Sequence, residues 1–208
     1  MTTTSERDGL EFHLSYLRSR ITVKSFDPLL NGFRSFGPAG AAIANRYEFD
    51  DEPVEFLGLG IRYDPGEWFV RAETAMLESD TIIGDRHGWY LTAGYRIRSF
   101  TPYITLARID SDGNTSDPGL DTRGLPAPLA AQANGLNAAL NDALSLAPAQ
   151  KSIALGLRWD LARNLALKFQ VDYLDLDRGS PGVLMNEQPG FRRGGSVTLL
   201  SAAIDFVF

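Results

Sequence analysis

From Leu165 to Tyr173 the chain alternates without interruption. Leu165, Leu167, Phe169, Val171 and Tyr173 fall on one side of an extended backbone, and Ala166, Lys168, Gln170 and Asp172 on the other. A period of two belongs to a strand that divides an apolar phase from a polar one, and a helix cannot satisfy it. The pattern returns in Ile153, Leu155, Leu157 and Trp159 against Ala154, Gly156, Arg158 and Asp160. It returns again in Trp89, Leu91, Ala93, Tyr95 and Ile97 against Tyr90, Thr92, Gly94, Arg96 and Arg98. The last residues, Leu200 to Phe208, are apolar at every second position and carry Asp205 on the other face.

Eight such stretches can be read: Leu10 to Thr22, Val54 to Tyr63, Trp68 to Leu77, Trp89 to Arg98, Pro102 to Asp110, Ser152 to Asp160, Leu165 to Leu174 and Ser196 to Phe208. Three connections are tight, at Asp64-Pro65-Gly66, Ser99-Phe100 and Ala162-Arg163-Asn164. The other four, 24 to 53, 78 to 88, 111 to 151 and 175 to 195, are long, and long strictly alternates with tight. In an antiparallel sheet this sends every long loop to one end and every tight turn to the other. A soluble sandwich also alternates apolar and polar residues, but it has no reason to segregate its loops. The pattern therefore predicts an all-β, antiparallel transmembrane β-barrel with about eight strands in this chain. About ten tilted residues cross an apolar band of about 25 Å. Trp68, Trp159, Tyr63 and Phe208 are expected at the tight-turn mouth, with Trp89 and Tyr173 near the other, where interfacial rings gather.

Composition removes other classes. Mean hydropathy is -0.14 and no stretch approaches the ~18 uninterrupted apolar residues of a spanning helix. The net charge of -6 argues against a nucleic-acid partner, which needs a basic surface. There is no cysteine, which suits a chain that crosses an oxidising compartment without using disulfides. Residues 1–9 are expected to be a disordered segment, and 10–208 the barrel. The first nine residues have no apolar core and do not read as a secretory signal, so the chain is expected either to be a mature form with a new Met or to lack its upstream part.

The polar face is rich in arginine. Arg62, Arg96, Arg98 and Arg158 lie near the tight turns; Arg71, Arg108 and Lys168 lie further up, with Glu73 and Asp172 as partners. These nine residues are the expected pore lining. Cations facing carboxylates across water set up a transverse field that favours anionic or zwitterionic solutes. An eight-stranded barrel is filled by its own side chains, and seven cations packed there would leave buried charge uncompensated. A wet lumen, and hence a larger barrel of which this chain is part, follows. In the third long loop Leu129, Leu136, Leu140 and Leu144 recur at helical spacing between Pro128 and Pro148, predicting a helix that either folds inward or caps the mouth. The run Asp110-Ser111-Asp112-Gly113-Asn114, with Asp117 and Asp121, has glycine at the fourth rather than the sixth position of a calcium loop, so a solvated turn is expected and no metal. His13 and His87 are the two histidines and neither sits in a hydrolase motif, so neither an enzyme nor a cofactor is expected.

From Phe26 onward the sequence resembles the carboxy-terminal half of proteobacterial outer-membrane porins, a group of porin-like proteins. The resemblance rests on Phe56-Leu57-Gly58-Leu59-Gly60 with Tyr63-Asp64-Pro65-Gly66-Glu67-Trp68-Phe69-Val70, on Trp89-Tyr90-Leu91 with Gly94-Tyr95-Arg96, on the run from Leu155 to Lys168, and on Ile204-Asp205-Phe206-Val207-Phe208. It implies a diffusion channel of about sixteen strands in the bacterial outer membrane, usually trimeric, passing small hydrophilic solutes. No selectivity motif of the family carries over to Arg71, Glu73, Arg96, Arg158 or Lys168. The competing expectation is a closed eight-stranded barrel with a structural or adhesive role carried by its long loops; a third is a soluble ligand-binding barrel.

Overall fold

The computed structural model describes residues 1–79, 81 and 84–207. Among them nine strands form one antiparallel sheet in chain order: β1 (Thr2–Arg7), β2 (Leu10–Ile21), β3 (Glu52–Tyr63), β4 (Trp68–Glu78), β5 (Arg86–Tyr95), β6 (Phe100–Ser111), β7 (Gln150–Ala162), β8 (Leu165–Leu176) and β9 (Ser196–Phe206). Each strand pairs with its sequence neighbour. β1 pairs with β2 alone and β9 with β8 alone among the described residues, so the sheet has two free edges.

The ninth strand corrects the reading of residues 1–9 as disordered. Asp8 and Gly9 have φ of 52° and 76°, the pair of positive values that a two-residue hairpin turn of matching twist demands. Thr2 through Arg7 then run back along β2, from Thr2 opposite Ser15 to Arg7 opposite Leu10. A polar segment without alternation forms a strand because an adjacent edge and a permissive Asp-Gly turn supply its hydrogen bonds.

The connections segregate as the chain order requires. The turns at 8–9, 64–67, 96–99 and 163–164 lie at one end, and the connections at 22–51, 79–85, 112–149 and 177–195 at the other. The long ones carry three α-helices among the described residues: α1 (Asp27–Arg34), α2 (Gly37–Arg46) and α3 (Ala127–Leu144). Each opens with proline in its first turn, Pro28, Pro38 and Pro128, where the missing N–H costs nothing.

The buried apolar core lies in these loops. Leu30 and Phe33 of α1, Ile43 and Ala44 of α2, Ala133, Leu140 and Leu144 of α3, with Tyr47 and Leu120, form one cluster. Gly40 lets α2 approach α1, because a Cβ there would overlap the Phe33 carbonyl. The predicted leucine spacing in α3 is seen: Leu140 and Leu144 are buried, Leu136 packs beside Gly32, and Leu129 remains exposed. Asn137 and Asn141 tie the preceding segment down by bonding the backbone of Leu120 and Asp117. Asp112, Asn114 and Asp121 of that segment stay exposed, as a solvated turn requires, while Asp117 and Leu120 are drawn in. Asp117 is buried, its carboxylate accepting from the Tyr47 hydroxyl at 2.7 Å, Arg46 Nη1 at 2.8 Å and the Gly119 N–H at 2.7 Å.

Candidate functional site

The register assigns every strand residue to one of two faces. One carries Leu14 and Tyr16 of β2, Leu57, Leu59 and Ile61 of β3, Leu91 of β5, Ile104 and Leu106 of β6, Ile153 and Leu155 of β7, and Phe169 and Val171 of β8. These apolar side chains are exposed, Leu155 by 59% and Leu59 by 53%. Along β8 the apolar run from Leu165 to Tyr173 spans eight rises of about 3.3 Å, roughly 26 Å.

Rings close this band at both ends. At the tight-turn end Tyr63 meets Trp68 edge to face at 5.3 Å, and Phe100 stacks on Trp159 at 5.5 Å. Trp89 and Tyr173 stand toward the long-loop end. Phe208, also expected at the tight-turn mouth, lies outside the described residues. Beyond the band the same face becomes charged. Arg18 pairs with Glu55 at 3.3 Å, and Arg20 with Asp51 at 2.8 Å. β1 departs from the pattern: its residues on this face are Thr3, Ser5 and Arg7.

The opposite face is polar, and side chains from β3 through β8 converge on one cavity of about 460 Å³. Of the expected lining residues, Arg62, Arg71, Arg96, Arg158 and Lys168 line it, joined by Asp64, Asp160, Thr92, Thr101, Tyr103, Thr105 and Phe69. Glu73 and Asp172 share the face but stand beside the cavity. Glu73 accepts from the Tyr90 hydroxyl at 2.9 Å and lies 3.6 Å from His13 Nε2, while Asp172 accepts from Gln170 Nε2 at 2.7 Å. α3 contributes nothing to this lining.

Two expected residues lie elsewhere. Arg108 has the parity of Ile104 and Leu106 and sits opposite Trp89 and Lys151, so it belongs to the apolar face, above the band, where it bonds Asp110 and approaches Asp177 at 3.3 Å. Arg98 occupies the two-residue turn between β5 and β6 with φ of 55° and is exposed, because the alternation that would aim it inward ends at the turn.

The cations at the tight-turn end are held by carboxylates. Arg96 forks onto Asp64 at 2.7 and 2.8 Å, donates to the Gly66 carbonyl at 2.7 Å, and lies 5.3 Å over the Phe69 ring. Arg62 reaches the same carboxylate at 2.9 Å. The Arg96 guanidinium holds the Asp64 carboxyl far below the usual carboxylate range, against the opposing effect of burial, and Arg62 and the Gly66 N–H add to it. Arg158 bonds Asp160 at 2.7 Å and Asp205 at 3.2 Å, and Lys168 meets Asp205 at 2.6 Å. Asp64, Asp160 and Asp205 were not among the expected lining residues. Their i,i+2 spacing from Arg62 and Arg158, and the position of Asp205 on the polar side of the last strand, are the signals that point to them.

Rings fill the polar face by lying over glycines. His13 covers Gly60, Phe69 covers Gly94 and Tyr103 covers Gly156, each glycine standing directly opposite on the next strand. No protein-family model matches this sequence, and no curated protein matches it. No helix among the described residues is long and apolar enough to cross a membrane.

Proposed function

We propose that this chain forms part of a porin of the bacterial outer membrane, a passive channel for small hydrophilic solutes. The sheet curls into a transmembrane β-barrel whose apolar face meets lipid and whose polar face lines a water-filled lumen. One observation carries the reading. Exposed leucines, isoleucines and valines fill a band between two sets of aromatic rings on one face, while five cations converge on a cavity on the other. A water-soluble sheet gains nothing by exposing that band, whereas a bilayer rewards it.

A bilayer does not tolerate the free edges of β1 and β9, because unpaired backbone groups in hydrocarbon cost several kcal/mol each. Further strands therefore complete the barrel, in line with the sixteen that the porin resemblance implies. The polar outer side chains of β1, Thr3, Ser5 and Arg7, fit a position covered by protein, as in a homotrimer. The arginines along the wall favour anionic solutes.

Conductance across a planar bilayer tests this. The barrel completed by those further strands is expected to give discrete steps whose reversal potential under a salt gradient is that of an anion-preferring channel. Replacing Arg71 and Lys168 together with Glu shifts that potential toward cations. Silence across many insertions returns the closed, adhesive barrel; solubility as a monomer without detergent returns the soluble one.

A further inference from the structure

Arg62 and Arg71 stand directly opposite each other on β3 and β4, on the polar face. Like charges in that position repel, and a sheet avoids them unless something neutralises the pair. The same arrangement occurs once more in the cavity wall, at Arg158 and Lys168 on β7 and β8. There the chain supplies the remedy, since the Asp205 carboxylate bridges both cations at 3.2 and 2.6 Å.

Among the described residues no carboxylate bridges Arg62 and Arg71 in this way. Arg62 turns toward Asp64, with Glu11 further off at 3.7 Å, and its buried Nε has no hydrogen-bond partner. Arg71 lines the cavity beside it. The row continues from Arg71 to Thr92 and Thr105, whose hydroxyls lie 2.8 Å apart and share the cavity. Two guanidinium forks and two hydroxyls thus line one strip of a cavity of about 460 Å³. Guanidinium forks match the paired oxygens of carboxylate and phosphate.

We propose that the Arg62–Arg71 pair is a binding site for a small oxyanion, a carboxylate or a phosphate, which takes the place that Asp205 takes between Arg158 and Lys168. The site deepens the channel reading and rests on it, because it requires the polar face to be open to solutes. It would make the channel hold such anions in passing rather than merely attract them.

Calorimetric titration of the completed barrel in detergent micelles, at fixed ionic strength, tests the site without a bilayer. Sodium succinate and sodium phosphate are the probes and choline chloride the reference. At least one probe is expected to bind saturably, and which one binds identifies the oxyanion. Arg71→Gln is expected to weaken that binding about tenfold, the loss of a charge-assisted pair of hydrogen bonds. Arg71→Lys, which keeps the charge and protects folding, weakens it less, and Lys151→Gln on the other face leaves it unchanged. The proposal is overturned if neither probe binds saturably to the folded barrel, or if both Arg71 variants bind as the parent does. Binding without bilayer conductance sinks the channel and leaves the site; conductance without binding sinks the site and leaves the channel.

Discussion

The Tyr103 hydroxyl donates to Gln170 Oε1 at 2.7 Å, reaching from β6 to β8 over Gly156 of the strand between them. A Cβ at residue 156 would overlap the phenol ring. The row through Phe69, Gly94, Tyr103, Gly156 and Gln170 thus alternates ring and gap across five strands. Gly156→Val is expected to destabilise the fold by roughly 1–3 kcal/mol through overpacking. Tyr103→Phe loses one neutral hydrogen bond, about 1 kcal/mol. Urea unfolding in micelles gives both, and a neutral Gly156→Val would show that the ring does not lie there.

Leu155 sits in the middle of the apolar band, flanked by Ile104 and Val171. If lipid covers this face, Leu155→Arg costs about 2–4 kcal/mol when the chain folds into vesicles. Lys151→Arg, four residues along the same face and beyond the band, changes nothing measurable. Equal folding of the two variants would mean that water, not hydrocarbon, bathes Leu155.

Gly40 marks the closest approach of α1 and α2. Gly40→Ala is expected to destabilise the helical cluster by about 3 kcal/mol, because backbone rather than a mobile side chain must yield. Amide exchange would show faster opening of α1 and α2 while the strands keep their protection.

Asp117 gives the loops an acid limit. Burial opposes its ionisation, but the Gly119 N–H, the Tyr47 hydroxyl and Arg46 outweigh it and set the carboxyl below its usual 3.8. A depressed folded value means that the charged form stabilises the loops fully above pH 3.8, and that this contribution fades as pH falls through the lower folded value. Asp117→Asn should therefore cost about 1–3 kcal/mol at pH 7 and progressively less below about pH 4. A penalty independent of pH would assign the effect to packing instead.

Much of this was legible from residue order. Period-two alternation identified the core of eight strands, and the alternation of long and tight connections fixed which end each loop leaves from. Parity also aimed Arg62, Arg71, Glu73, Arg96, Arg158, Lys168 and Asp172 to the polar side. It failed where its premise ended. Arg98 lies in a turn, which has no parity, and Arg108 shares the parity of Ile104 and Leu106. β1 carries no alternation at all and was missed, since its order comes from the free edge of β2.

Residue order alone sets the two faces of the sheet, because a strand sends neighbouring side chains to opposite sides whatever surrounds it. Which residues meet is settled by how the strands pair in space. Register sets Arg62 against Arg71 and Arg158 against Lys168, and it brings Asp205 between the second pair and, among the described residues, no carboxylate between the first. Those pairings join residues up to 47 positions apart, a distance over which local propensity carries no information and only the register of the hydrogen-bond ladder does.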